Sequence, residues 1–143
     1  MTLVVTRIKK ILVPLDGSKN SLRGLNMAIY LARQCGGTIT GLFVMPNRLS
    51  AFEPITFDRK YLSKFTNELM MMAKKRCAEN GIVFYGKTTS GDGATEILVF
   101  SRKKKFDIIV IGARGLGSVK EVFLGSTSHT VVHKSKMPVM IIK

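Results

Sequence analysis

The chain alternates between short runs of apolar residues and longer stretches in which apolar residues recur every three or four positions. The spaced positions predict helices in the four gaps between the runs. Apolar strands that are each separated by a helix are typical of a parallel sheet covered on both faces. The pattern therefore predicts one open, doubly wound, Rossmann-like α/β domain over residues 1–143, with right-handed crossovers. The predicted strands are Ile11–Val13, Thr38–Met45, Ile82–Thr89, Phe106–Ile111 and Val139–Ile142.

Residues typical of helix ends bound the predicted helices. Gly36 ends the first helix, Gly81 ends the second, Asp92 caps the third, and the fourth begins at about Ser126. The second begins at about Asp58, after a loop over Pro46–Pro54. The stripes expected to face the core are Leu22, Leu25, Ile29 and Ala32, then Tyr61, Phe65, Leu69, Ala73 and Cys77, then Ile97 and Leu98.

Two loops of this fold stand where ligands of doubly wound sheets bind, beyond the carboxyl ends of strands at the point where the winding reverses. Pro14 ends the first strand, because proline cannot donate to a ladder, and Asp16 follows it. Gly112 follows the fourth strand. Candidate chemistry is therefore expected at Asp16 and Gly112.

The segment after the fourth strand favours phosphate binding. Gly112 and Gly115 let the backbone turn and approach a ligand without a Cβ. After nine intervening residues, Gly125–Ser128 opens a helix, whose first amides have no partner inside the helix and whose side chains add hydroxyl donors. This arrangement suits a di- or triphosphate. The alternative is that the glycines only make turns and Ser126 only caps a helix.

Two better-known phosphate motifs are absent. Ser118 and Val119 stand where a Walker motif requires lysine followed by serine or threonine. Lys120 replaces the third glycine of a dinucleotide fingerprint. The sequence thus argues against a P-loop NTPase and against a dehydrogenase.

Metal and redox chemistry are not indicated either. Cys35 and Cys77 are far apart, which suits a reducing cytoplasm and not a CxxC centre. His129 and His133 have the spacing of a zinc pair, but Thr130 replaces the glutamate of a metalloprotease and no third ligand is evident. The methionines at 70–72 are interpreted as core and helix-surface residues.

Charge is the unusual feature of the composition. The chain has 23 Lys and Arg against 9 Asp and Glu, a formal net charge of +14, which attracts anions of any kind. The dense clusters, Lys74–Arg76 and Arg102–Lys105, fall near predicted helix C-termini, where cations offset the helix dipole. This favours solvated faces over a dedicated polyanion site. With 45% hydrophobic residues, no bilayer-length apolar run and no secretory leader, the chain is expected to be a folded cytoplasmic protein.

Three segments together resemble the universal stress protein family, in the family's order and over nearly the whole chain. They are Ile11–Ser18, Ser90–Leu98, and the glycine segment from Gly112 to Ser126 followed by Pro138-Val139. The spacing Gly-x2-Gly-x9-Gly-Ser marks the branch of the family that binds ATP. The resemblance implies a regulatory protein that binds ATP, ADP or AMP, with any Mg²⁺ held mainly by the phosphates. It also implies a sheet order 3-2-1-4-5 and a homodimer paired through Val139–Ile142.

The resemblance further implies which residues form the site. Asp16 is expected near the base or ribose, Val44 against adenine, and Gly125–Ser128 on the phosphates. Arg114 lies inside the motif, where it either reaches a phosphate or is solvated, and Asp16 either contacts the ligand or caps the first helix. Gly93 stands where the family usually has proline. The predicted binding residues are Pro14, Leu15, Asp16, Val44, Ile111, Gly112, Arg114, Gly115, Gly125, Ser126, Thr127 and Ser128.

Three functions remain open at this point. The first is a regulatory module whose nucleotide occupancy shifts its conformation or its choice of partner. The second is a slow ATP hydrolase, which is disfavoured because Arg114 and Asp16 are the only candidates for the groups that phosphoryl transfer needs. The third is a nucleic-acid-binding protein or a protein with an acidic partner, which rests on charge alone, since the chain has no Trp and three Tyr.

Overall fold

The computed structural model describes residues 7–46, 59–116 and 124–143 of the chain. Strands and helices alternate through these residues. The strands are β1 (Lys10–Pro14), β2 (Thr38–Met45), β3 (Phe84–Ser90), β4 (Ile108–Gly112) and β5 (Val139–Ile142). The helices are α1 (Lys19–Cys35), α2 (Arg59–Glu79), α3 (Gly93–Lys103) and α4 (Ser126–Lys134).

All neighbouring strands pair in parallel, in the order β3-β2-β1-β4-β5. This confirms the predicted sheet and its order. β1 lies at its centre, and Ile11, Leu12 and Val13 are fully buried. The winding reverses between β1 and β4, so the carboxyl ends of these two strands lie side by side.

Two apolar clusters cover the two faces of the sheet. Ile11 and Val13 of β1 pack with residues of α1 and α2, including Leu25 and Ala73. Leu12, on the opposite face, packs with residues of α3 and α4, including Ile97 and Val131. Because side chains alternate along β1, this strand packs against the helices on both faces of the sheet.

The helix ends follow from local chemistry. The Ser18 hydroxyl accepts the Ser21 N–H (3.1 Å) and caps α1, and Gly36 ends that helix in the left-handed conformation (φ 66°). Asp92 caps α3, as predicted, by accepting the Thr95 N–H. Gly93 opens α3 although it lacks the fixed φ of proline.

Three predicted details are wrong. Tyr61 is 70% exposed and does not lie in the core stripe, where its neighbour Leu62 packs instead. β3 begins at Phe84 and not at Ile82, because the chain is still turning after Gly81, whose φ is 71°. β4 begins at Ile108 and not at Phe106, because the Phe106 ring stacks on Phe100 in the turn after α3.

Several predictions fall outside the described residues. These are the start of α2 at Asp58, the loop from residue 47 to Pro54, and the positions of Ser118, Val119 and Lys120. Within the described ranges, no helix combines the length and apolar character needed to cross a membrane.

Candidate functional site

A cleft of about 230 Å³ opens at the carboxyl ends of β1, β2 and β4, beside the starts of α3 and α4. The structure brings all twelve predicted binding residues to its lining. The same cleft is also lined by residues that were not predicted to bind the ligand. These are Ser18, Ser21, Leu42, Gly93, Ile97 and Leu116.

The start of α4 contributes open backbone donors to this cleft. Gly125 is the N-cap residue and offers no side-chain hydrogen bond, and the first helical bond runs from the His129 N–H to the Gly125 carbonyl (3.0 Å). The N–H groups of Ser126, Thr127 and Ser128 therefore precede the first helical hydrogen bond. Helix α1 and helix α3, by contrast, are capped by side chains. These amides, which no helical hydrogen bond uses, and the positive end of the dipole suit an anion.

The Ser128 side chain has a structural role. Its hydroxyl is buried and lies within hydrogen-bonding distance of the carbonyls of Ala113 (2.6 Å) and Gly125 (3.1 Å). Since a hydroxyl has one proton, that proton is used inside the protein. The Gly125 N–H donates to the same Ala113 carbonyl (2.7 Å). These bonds fasten the start of α4 to the end of β4, and they leave Ser128 its backbone N–H for a ligand.

Two of the three glycines of the motif, Gly112 and Gly115, lie directly against other atoms of the protein. A Cβ on Gly112 would lie 2.7 Å from the backbone carbon of Asn20, because α1 packs closely on the end of β4. A Cβ on Gly115 would lie 2.5 Å from Oδ2 of Asp16. The absence of a side chain at these positions therefore brings α1 and the loop after β1 against the glycine segment, which shapes the cleft from below.

Asp16 connects the two loops. Its Oδ1 accepts the Ser18 N–H (2.8 Å) and its Oδ2 accepts the Leu116 N–H (3.2 Å). The N-cap of α1 is Ser18, so the alternative that Asp16 caps this helix is wrong. Each carboxylate oxygen keeps a second lone pair. Asp16 can therefore hold the loops together and still accept a hydrogen bond from a ligand.

The other side of the cleft is apolar. Leu42, Ile97 and Ile111 are buried, and Val44 packs against the same cluster. Leu42 and Val44 are two positions apart in β2 and hence share a face, a signal in the sequence that would have identified Leu42. A wall of branched aliphatic side chains beside a few polar groups is typical of a site for a flat, largely apolar ring.

Ionisable side chains are few in the described lining of the cleft. Among the described residues, Asp16 and Arg114 are the ionisable side chains in its lining. No group of three or more His, Cys, Asp or Glu that could hold a metal occurs in the described part of the chain. His129 and His133 stack on each other, with ring centroids 5.9 Å apart.

Comparisons with known protein families, sequences and solved structures all find the same family. A family model described as "Universal stress protein family" matches residues 7–143. Universal stress protein YxiE of Bacillus subtilis is 30% identical over 145 residues, which cover 94% of this chain and 98% of the relative. The solved structure of universal stress protein UspA from Lactobacillus plantarum is 25% identical, covers 96% of this chain and 99% of its own, and has a TM-score of 0.74.

Two further solved structures share the fold at 20% identity. One is the universal stress protein from Archaeoglobus fulgidus in complex with dAMP, with a TM-score of 0.71, covering 97% of this chain and 100% of its own. The other is a universal stress protein family protein from Arabidopsis thaliana with AMP bound. Its TM-score is 0.72, and the match covers 94% of this chain and 91% of its own.

Proposed function

The chain belongs to the universal stress protein family, and we propose that it is a regulatory protein that binds an adenine nucleotide in the cleft beside α4. The observation that carries this proposal is the start of α4, whose first amides are uncapped and border the cleft. Nucleotide occupancy would shift the conformation or the partner choice of the protein.

The phosphates belong at the start of α4 in this proposal. The N–H groups of Ser126, Thr127 and Ser128 and the hydroxyls of Ser126 and Thr127 are donors on one side of the cleft. Arg114 lines the same cleft and adds a positive charge. ATP, ADP and AMP all present oxygens to such a set, and any Mg²⁺ would be held mainly by the phosphates.

The adenine ring belongs against the apolar wall. Val44 and Leu42 would contact one part of the ring, and Ile111 would close the pocket beneath it. Asp16 lies between this wall and the glycine segment, where its free lone pairs would accept a hydrogen bond from the ribose or the base. Pro14 and Leu15, which also line the cleft, would border the adenosine.

Relatives with adenine nucleotides support this assignment. Universal stress proteins of the same fold have been solved with dAMP, AMP and cAMP. Their identity to this chain is 20%, so they share its fold, and the residues that line the cleft of this chain carry the rest of the argument.

Hydrolysis of ATP by this cleft would be slow or absent. Phosphoryl transfer needs a positioned base, a neutralising cation and a carboxylate that orients the metal. Both oxygens of Asp16 already accept backbone N–H groups, and Asp16 is assigned to the adenosine end of the site. We expect far less than one turnover per second with Mg²⁺; several turnovers per second of released phosphate would contradict a binding role.

The direct experiment is to denature freshly purified protein, separate the released small molecules by chromatography, and titrate emptied protein with ATP and AMP by calorimetry. We expect an adenine nucleotide in the released fraction or saturable binding of added nucleotide. If neither is found, the proposal fails.

A further inference from the structure

The amino-terminal ends of the strands, opposite the cleft, form a strongly basic surface. Because the sheet is parallel, all of its strands begin at this end, and the helices that cover its faces end there. Exposed lysines and arginines lie at these strand starts and helix ends. We call this set the basic edge; it consists of Lys9, Lys10, Arg102–Lys105 and Lys136.

The basic edge is one continuous surface. The Lys10 ammonium donates to the Lys104 carbonyl and lies 4.8 Å from the centre of the Phe106 ring, which joins the start of β1 to the turn before β4. β5 pairs with β4 on its other side and begins three residues after Lys136. Neighbouring strands are about 5 Å apart, so the cations of these three strand starts lie side by side.

The one acidic side chain described beside these cations, Asp107, offsets a single positive charge and leaves the basic edge with a large positive excess. Asp107 stands between the turn after α3 and β4, and its Oδ2 accepts the backbone N–H groups of Lys9 and Lys10, both at 2.8 Å. The carboxylate therefore fastens β1 to β4 through the main chain. The ammonium groups of Lys103, Lys104 and Lys105 extend from exposed positions.

Lys105 stands in a backbone conformation that glycine accommodates more easily. Gly36 and Gly81 follow α1 and α2 in the left-handed conformation (φ 66° and 71°), and Lys105 adopts it after α3 (φ 55°). Glycine is strongly preferred at such a position. Lys105 therefore adds a fourth exposed cation directly after Arg102, Lys103 and Lys104.

We propose that the basic edge binds the phosphate backbone of double-stranded nucleic acid without reading its sequence. The partner is inferred from the side chains at this edge. Phe106 is buried and stacked on Phe100, so the turn offers no exposed ring on which single-stranded bases would stack. The turns over residues 102–107 and 135–138 carry no exposed large apolar side chain that would insert into a membrane. Cations alone suit a regular row of phosphates.

The site is independent of the nucleotide cleft. The cleft lies at the carboxyl ends of the strands and the basic edge at their amino ends. Both surfaces would be accessible in the same molecule, so the cleft could be filled while the basic edge is bound.

The test measures binding of a fluorescent random-sequence DNA duplex of about 20 base pairs to the full chain by anisotropy, between about 50 and 200 mM salt. The variant Lys103→Gln/Lys104→Gln/Lys105→Gly removes three charges from the basic edge. The matched control Lys64→Gln/Lys74→Gln/Lys75→Gln removes three exposed charges from α2, on the other face of the sheet. Both variants have the same net charge.

We expect the basic-edge variant to bind the duplex at least tenfold more weakly, with a salt slope shallower by about 2 to 3. The α2 control should change affinity less than threefold. The single variant Lys105→Gly should weaken binding while its thermal midpoint stays equal or rises, which separates charge loss from unfolding.

Three results would overturn the proposal. Equal losses for the two triple variants would show attraction by net charge alone. Absence of duplex binding at 50 mM salt would show that the surface is merely solvated. Tight binding to phosphatidylserine vesicles without binding to the duplex would assign the basic edge to a membrane surface.

Discussion

Gly115 and Asp16 are ninety-nine positions apart in the chain and depend on each other in the fold. The missing Cβ of Gly115 leaves the room that Oδ2 of Asp16 occupies, and that carboxylate holds both the Ser18 and the Leu116 N–H groups. The shape of the cleft between the two loops is therefore fixed by one close contact.

Replacing Gly115 with alanine is expected to impair the cleft more than the fold. The new Cβ would have to displace the Asp16 carboxylate, which lies at 2.5 Å. Movement of this side chain costs little stability, but it removes two hydrogen bonds that position the loops. We expect the affinity for ATP in calorimetry to fall by about tenfold, or about 1.4 kcal/mol.

The matched control is Gly93→Ala, in the same cleft. Its Cβ would lie 3.5 Å from Oγ1 of Thr127, an ordinary contact. Nucleotide affinity should stay within about threefold of that of the unmodified protein. If Gly115→Ala binds as tightly as Gly93→Ala, the contact between Asp16 and Gly115 does not shape the site.

The sequence identified the residue types at the cleft but not all of their roles. It interpreted Gly112 as a place where backbone approaches a ligand, whereas the structure places Asn20 of α1 against it. It counted the Ser128 hydroxyl as a donor to phosphate, whereas the single proton of that hydroxyl is used on a main-chain carbonyl, with Ala113 and Gly125 as the acceptors within reach. Both differences come from distances between segments remote in the chain, which spacing along a sequence does not contain.

Whole elements were predicted more accurately than single roles. The bounds of β2 and β5 agree with the sequence pattern, because most residues of each are β-branched, aromatic or otherwise apolar. The starts of β3 and β4 were placed two residues early, since apolar residues after Gly81 and before Ile108 pack in turns. A periodic pattern marks burial, and burial occurs in turns as well as in strands.

The cap of α3 makes a testable contribution to stability. Asp92 accepts both the N–H and the hydroxyl of Thr95, and these bonds lower the pKa of Asp92 below its ordinary value of 3.8. Asp92→Ala should lower the free energy of unfolding by about 1 kcal/mol in urea denaturation at pH 7, where the unmodified carboxylate is ionised.

The pH dependence follows from the sign of that shift. The stabilisation is fully present above pH 3.8 and is lost as the pH falls through the lowered pKa, because the native carboxylate must then be protonated. The difference between the parent and Asp92→Ala should therefore shrink below pH 4. A difference that stays constant down to pH 2 would rule out the ionised cap as its source.

At the scale of the whole molecule, the two edges of the sheet have different chemistry. The carboxyl edge carries the cleft, with uncapped amides and an apolar wall, and the amino edge carries exposed lysines and arginines. The sequence showed the +14 charge and placed its clusters at helix ends. It could not show that the ends of α3 and α4 lie on one surface with the start of β1. That adjacency follows from the order of the strands in the sheet.

We predict a homodimer paired through the outer edge of β5, as the family resemblance implies. β5 pairs with β4 on one side, and its four apolar residues are all partly exposed. Pairing with β5 of a second copy would satisfy its outward backbone groups. Light scattering after gel filtration should give twice the 15.8 kDa of one chain.

Ile141→Pro tests the assembly. Pro138 and Ile142 direct their carbonyls to β4, so by alternation the Ile141 N–H points outward, and proline removes this donor without a bond to β4 being lost. The variant should elute as a single chain with unchanged circular dichroism. A single-chain mass for the parent protein at micromolar concentration would contradict pairing through β5.

The measurement that tests the central claim most directly is the response of the backbone amides of α4 to nucleotide, followed by ¹⁵N NMR. On addition of ATP, the N–H signals of Ser126, Thr127 and Ser128 should shift most, while adenosine, which lacks phosphates, should shift Val44 and Leu42 and leave the start of α4 nearly unchanged. If ATP binds and these three amides do not respond, or if they respond equally to adenosine, the phosphates are not held at the start of α4.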